Sequence, residues 1–210
     1  MNLEKPILPY IVNQPWGVYD PATYSQFGFT RHNGIDLKLA PDKRGNSPFN
    51  GTVVRVGTPV NGLWQPNGGG IFVGIVSEPM DFPAFTNTTP DGLVVNFAAG
   101  NYRILIDLLH CESIVVKEGD SVVAGQQVVI CDNTGKSTGP HCHTQWRRIN
   151  WSGGTNYTTV DTNDANNSFD PTQFFPKDSD SIAILADAAT DPKQKGILQW
   201  LVSFLKGSGD

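Results

Sequence analysis

The sequence predicts a mainly β protein of short antiparallel strands, with a short α-helical extension at its C-terminal end. Three observations lead there. Runs of β-branched and aromatic residues recur at short intervals, each bounded by Gly, Pro or Asn. Glycine and proline, at 22 and 15 of 210 residues, supply the turns that such a chain needs. Only past residue 176 does the apolar spacing lengthen to that of a helix.

Taken in order, residues 1–26 read as a lead-in. Their opening stretch, "MNLEKPILPYIVNQPWG", is broken by prolines and has no apolar run long enough for the core of an export signal. Residues 27–176 form the expected domain. Within it "GTVVRVG" (51–57), "GGIFVGIVSE" (69–78), "GLVVNFAAG" (92–100) and "YRILIDLLH" (102–110) read as strands. So do parts of "SIVVKEGDSVVAGQQVVICD" (113–132) and "HCHTQWRRI" (141–149), a spacing that suits a sandwich or barrel. Residues 79–92 and 150–170, rich in Pro, Thr, Asn or Gly, read as long polar loops. Residues 177–210 read as a helical tail. In its second half Asp191 suits an N-cap and Pro192 the first helical position. Ile197, Leu198, Leu201, Val202 and Leu205 then form one apolar stripe, widened by Trp200 and Phe204. Such a helix either packs back on its own domain or docks on another protein or a second copy.

Composition excludes several classes. A formal net charge of −5 with no Lys/Arg run argues against a nucleic-acid partner. No stretch is long and apolar enough to be a membrane-spanning helix. Cys111, Cys131 and Cys142 are odd in number and lack CxxC spacing, which points to free thiols packed as small hydrophobes.

The chemistry is concentrated in the histidines. The chain has four, and two of them stand two apart in "STGPHCHTQW" (137–146). On a strand His141 and His143 face one side and Cys142 the other. An HxH pair alone is weak evidence, since many such pairs simply face solvent. Its partners are in "RHNGIDL" (31–37), where His32 and Asp36 are four apart with Gly34 letting the chain bend between them. One imidazole, one carboxylate and one histidine of the pair make three ligands and leave a fourth tetrahedral position for water, the open form of a zinc site. Zinc lowers the pKa of bound water to about 7. His110 ends an apolar strand in "DLLHCES", so every histidine has a place near one site.

These residues resemble the lysostaphin/LytM-type M23 zinc metallopeptidases, which cut peptides of bacterial peptidoglycan. His32 to Asp36 matches the family's HxxxD motif and His141 to His143 its HxH motif. "TGKSTGPHCH" resembles the glycine-rich lead-in to the second motif, "VVKEGDSVVAGQQV" (115–128) the turn before it, and "DPTQFF" (170–175) the element that closes the domain. The resemblance covers roughly residues 10–176. It implies a LytM-like barrel-sandwich hybrid, one zinc ion held by His32, Asp36 and His143, and catalytic roles for His110 and His141. The chain departs from the common pattern at Leu108, Cys111 and Cys142 and in a longer 79–101 segment, but keeps every ligand. Tyr24 and Asn33 lie near the first motif, either lining the groove or in a structural role.

Two competing motifs fail. "GKST" (135–138) lacks the upstream glycine of a phosphate-binding loop, since that position is Ile130. The "KEGDSVVAGQQV" turn resembles biotinyl and lipoyl carriers, but neither Lys117 nor Lys136 has the required hairpin context. The expected activity is zinc-dependent hydrolysis of peptidoglycan peptide bonds; the alternative is a wall-binding or structural virion protein with a slow or inactive metal site. An extracellular substrate without a visible export signal suggests a phage lysin or virion-associated tail enzyme, with the C-terminal helix as its attachment.

Overall fold

The strands of the computed structural model, which describes residues 3–63 and 65–176 together with Gln199 and Ser203, pair antiparallel throughout. In chain order they are β1 (Val12–Gln14), β2 (Ile35–Leu37), β3 (Arg44–Asn46), β4 (Gly51–Gly57), β5 (Ile71–Ser77), β6 (Met80–Phe82) and β7 (Phe85–Thr88). There follow β8 (Val94–Phe97), β9 (Gly100–Ile114), β10 (Ser121–Val122), β11 (Gln127–Cys131), β12 (Cys142–Gly153) and β13 (Asn156–Thr159). The main sheet runs β1-β2-β12-β9-β5-β4-β10. β3 and β11 pair with each other, and β11 also with β9; β6 extends the start of β9, and β13 folds back on β12. β7 and β8 form a separate hairpin.

β9 and β12 are the frame because both faces are buried along their central stretches, where their sequences run apolar or paired-polar; solvent-facing residues return only toward the strand ends. Across the ladder Ile106 stands opposite Trp146 and Ile75, and Leu108 opposite Thr144 and Val73, all sealed from solvent. Phe49 meets Trp146 edge-on at 6.4 Å. The other face holds Val54, Val76, Leu105 and Ile149, with Trp151 and Tyr157 packed against them. Each such aliphatic side chain contributes about 1.5–3 kcal/mol on burial.

The lead-in takes part in this packing: Leu3 and Ile7 are fully buried, β1 pairs with β2, and buried Trp16 donates its Nε1 hydrogen to Ser168 Oγ at 2.8 Å. Leu3–Gln173 form one compact unit.

Two segments expected as loops contain strands. Residues 79–92 carry β6 and β7, because Phe85 and Asn87 alternate inward while Thr86 and Thr88 face out. Phe85 stacks on Phe97 of β8 at 4.5 Å. β12 likewise continues to Gly153 and turns through Gly153 and Gly154, both at positive φ, into β13, so the 150–170 segment begins as a hairpin. The expected helical tail, 177–210, lies outside the described residues except for Gln199 and Ser203, which are helical and exposed. No helix among the described residues is long and apolar enough to cross a membrane.

Candidate metal centre and active site

Pairing of β2 with β12 sets Asp36 directly opposite His143. Antiparallel partners share a face, so the carboxylate and the imidazole project together. His32 arrives from the preceding loop, where its backbone is pinned by Val18 and Gly17, and its ring is buried. His32 Nδ1 donates to Pro15 O at 2.8 Å, which leaves Nε2 as the lone-pair nitrogen. That atom lies 3.1 Å from His143 Nδ1 and 3.2 Å from Asp36 Oδ1, while His143 Nδ1 and Asp36 Oδ1 are 2.9 Å apart.

Three electron-pair donors facing one another in a buried cluster repel unless a cation joins them. Ligand atoms held tetrahedrally at about 2.0–2.1 Å from one zinc ion would stand about 3.3 Å apart, close to the separations seen. The donor set, two imidazoles and a carboxylate, is one that zinc accepts. Burial pushes the Asp36 carboxyl up, yet the surrounding His141, His143 and His32 rings outweigh it and hold the group well below the usual carboxylate range. Burial pushes His143 down, against the pull of Asp36.

Gly34 is required for a reason other than the bend expected of it. A Cβ there would sit 2.5 Å from both His143 Nε2 and Thr144 O, so the loop approaches β12 only because position 34 has no side chain. Tyr24, on the short helix α1 (Pro21–Tyr24), stacks on His32 at 5.7 Å. Its hydroxyl accepts from Gln14 Nε2, and burial together with the Asp36 charge pushes it up to about 12.

His110 and His141 complete the group. His141 Nδ1 donates to Gly139 O at 2.8 Å, and its Nε2 reaches to 3.4 Å from Asp36 Oδ1. Burial lowers His141, but the Asp36 hydrogen bond and charge more than restore it, and the net direction is up. His110 Nδ1 donates to Thr134 O at 2.8 Å, and the two rings lie 4.8 Å apart. Burial, then the neighbouring His143, lowers His110 to about 4. His110 stands at φ 62, a left-handed conformation costing about 1–2 kcal/mol for a side-chain-bearing residue. A register break in β9 imposes it: His110 N–H bonds Gly69 O at 2.7 Å and its carbonyl takes Asp132 N–H at 3.0 Å.

All five residues singled out in the sequence thus converge. What the sequence reading missed is the set of backbone carbonyls, Pro15, Thr134 and Gly139, that fix three of the rings, and a cluster of Arg55, Asp107, Gln145, Arg147 and Tyr157 on the same face of the sheet. Arg147 was legible, since it is in phase with His143.

No family model matches the chain. Among curated proteins, it is 33% identical over 96 residues to the peptidoglycan DD-endopeptidase ShyB of Vibrio cholerae serotype O1, an alignment covering 40% of this chain and 21% of that protein. It is 32% identical over 133 residues to an uncharacterized metalloprotease of Haemophilus influenzae, covering 57% and 26%. The chain therefore spans about a quarter or less of the curated relatives it matches. Among solved structures, the catalytic domain of lysostaphin from Staphylococcus simulans aligns with a TM-score of 0.49 and 22% identity over 79% of this chain and 91% of that one. Over these stretches the chain is thus similar to a peptidoglycan DD-endopeptidase and to a metalloprotease.

Proposed function

We propose that the protein is a zinc-dependent endopeptidase that hydrolyses peptide bonds in bacterial peptidoglycan. The observation that carries this reading is the convergence of His32 Nε2, Asp36 Oδ1 and His143 Nδ1 within 3.2 Å of one another, beside two further histidines whose Nδ1 atoms are committed elsewhere. The named relative that acts on peptidoglycan supports the substrate class.

In this reading His32, Asp36 and His143 hold one zinc ion, which when bound polarises the scissile carbonyl and acidifies water. Because Thr134 O and Gly139 O take the Nδ1 hydrogens, His110 and His141 both present Nε2 to the groove. One accepts the proton released by the attacking water. The other enters the reaction as an imidazolium, its proton taken up from solvent beforehand, and donates to the carbonyl oxygen as negative charge develops there, keeping that proton. The proton accepted from water then passes to the leaving amine. Buried surroundings strengthen each of these interactions.

The finer expectation of a phage lysin or virion-attached enzyme draws its attachment site from residues 177–210, which lie outside those described except for Gln199 and Ser203. The experiment for the activity is mass spectrometry of purified sacculi digested by the protein, with chelator and zinc-readdition controls. New peptide ends that vanish with chelator and return with zinc are expected, and they identify the bond. Intact sacculi across several cross-link chemistries would overturn the proposal.

A further inference from the structure

We propose that Arg55 and Arg147 form a subsite for a substrate carboxylate, placed along the sheet from the metal cluster; the inference rests on the peptidase reading above. Alternate residues of β12 face one way, so His143, Gln145, Arg147 and Trp151 form a row. Asp107 on β9 stands opposite Gln145, and Tyr157 on β13 opposite Trp151, so both share that face. Arg55 reaches the row from β4 by crossing over Gly74, where a Cβ would lie 2.5 Å from Arg55 Cγ and 2.8 Å from Asp107 Oδ1.

The charges there do not balance. Arg55 grips Asp107 through Nε at 3.0 Å and Nη2 at 2.5 Å, and Arg147 Nη2 donates to the same carboxylate at 2.5 Å and to Gln145 Oε1 at 3.0 Å. Two guanidiniums share one carboxylate, leaving one positive charge over. Tyr157 OH accepts from both, at 3.2 Å from Arg147 Nη1 and 3.4 Å from Arg55 Nη1, and so adds no charge of its own. Arg147 Nε and Gln145 Nε2 are buried and meet no acceptor among the described residues. Arg103, also on this face, packs over Trp151 at 5.0 Å, donates to Ser77 O at 2.7 Å and has the exposed Glu78 at 3.5 Å as its carboxylate.

A surplus guanidinium held against a sheet is costly unless an anion comes to it. The Asp107 carboxylate is sealed beneath, while the Arg55 side chain is 27% exposed, so the charge is presented outward. In a chain of net charge −5 this face is locally cationic. A guanidinium fork fits a carboxylate in plane, which a lysine does not. Gln145 and Arg147 lie two and four residues along β12 from His143, or about 7 and 13 Å at about 3.3 Å per residue. An extended peptide threaded from the metal along this row brings a residue two to four positions from the scissile bond over the two arginines. The ligand class is therefore a peptide with a free carboxylate at that distance.

The test uses the zinc-loaded full chain and two cross-linked peptidoglycan peptides, one with free side-chain carboxyls and the other with the same carboxyls amidated. Cleavage gives kcat and KM; calorimetry on the His110→Ala variant gives Kd for both. The free acid is expected to lead by about tenfold in kcat/KM and in Kd, as a charge-assisted pair would give. Arg55→Gln is expected to erase the difference by raising KM for the acid to that of the amidated peptide. Equal handling of the two peptides by the unmodified protein overturns the subsite, whether or not the variant folds. So does a variant that keeps the unfolding temperature of the unmodified protein yet loses both peptides alike. Tighter binding of the acid without cleavage of either peptide leaves the subsite standing and overturns the peptidase reading.

Discussion

A histidine has two ring nitrogens, and here the backbone decides which one is left for chemistry. Pro15, Thr134 and Gly139 each accept an Nδ1 hydrogen, so His32, His110 and His141 all turn Nε2 toward the centre, while His143 uses Nδ1. Replacing His110 by Ala is therefore expected to lower turnover by about two to four orders of magnitude while bound zinc, measured by metal analysis, stays near one per chain. Loss of zinc together with activity would move His110 into the ligand set. Gly34→Ala is expected to act the other way. Its Cβ displaces the His143 ring and Thr144 carbonyl, and competition with a chromogenic chelator should show zinc affinity falling about 10–100-fold, as for other disturbed ligand supports. The ligand-bearing residues were legible because HxxxD and HxH are side-chain patterns. The carbonyls that orient them were not, since any residue type supplies a carbonyl.

At the scale of elements, β12 does two jobs through adjacent arginines. Arg147 shares the face of His143, and Arg148, one residue on, turns to the opposite face and is only 1% exposed. Its guanidinium is bound by Asp161 at 2.5 and 2.9 Å and by Ala98 O at 2.6 Å. The rings of Phe82, Phe85, Phe97 and Tyr102 surround it, with centroids 4.8–5.5 Å away. This arginine fastens the β6, β7 and β8 segments to the main sheet. Arg148→Met is expected to destabilise by about 3–5 kcal/mol, because Asp161, whose side chain is only 11% exposed, is left without its partner, and Arg148→Lys to recover only part of it. The midpoint of urea unfolding measures both. The sequence showed the strands with unbroken apolar runs, including β5 and β9. It hid β6, β7 and β13, whose Thr and Asn residues look like loop composition until the inward Phe and Asn positions are known. Strands of that kind owe their existence to tertiary contacts rather than propensity.

For the whole molecule, a metal that binds only the folded chain adds to its stability. At zinc about 100-fold above its Kd, removal by chelator is expected to lower the unfolding temperature by about 5–10 °C, reversed by readdition. A chelator without effect on a scanning calorimeter would mean that the three-donor cluster holds no ion. That gain has a competitor in the three thiols. Cys111, Cys131 and Cys142 are buried and unpaired, and Cys142 lies between His141 and His143 on the opposite side of the strand. Folded, they are out of reach of any ion at the cluster. Unfolded, the same three soft donors are free to capture zinc alongside the histidines, so the metal also stabilises the denatured chain. The order of assembly then matters: a chain folded under reducing conditions and loaded afterwards should yield more correctly metallated protein than one refolded with zinc already in the buffer.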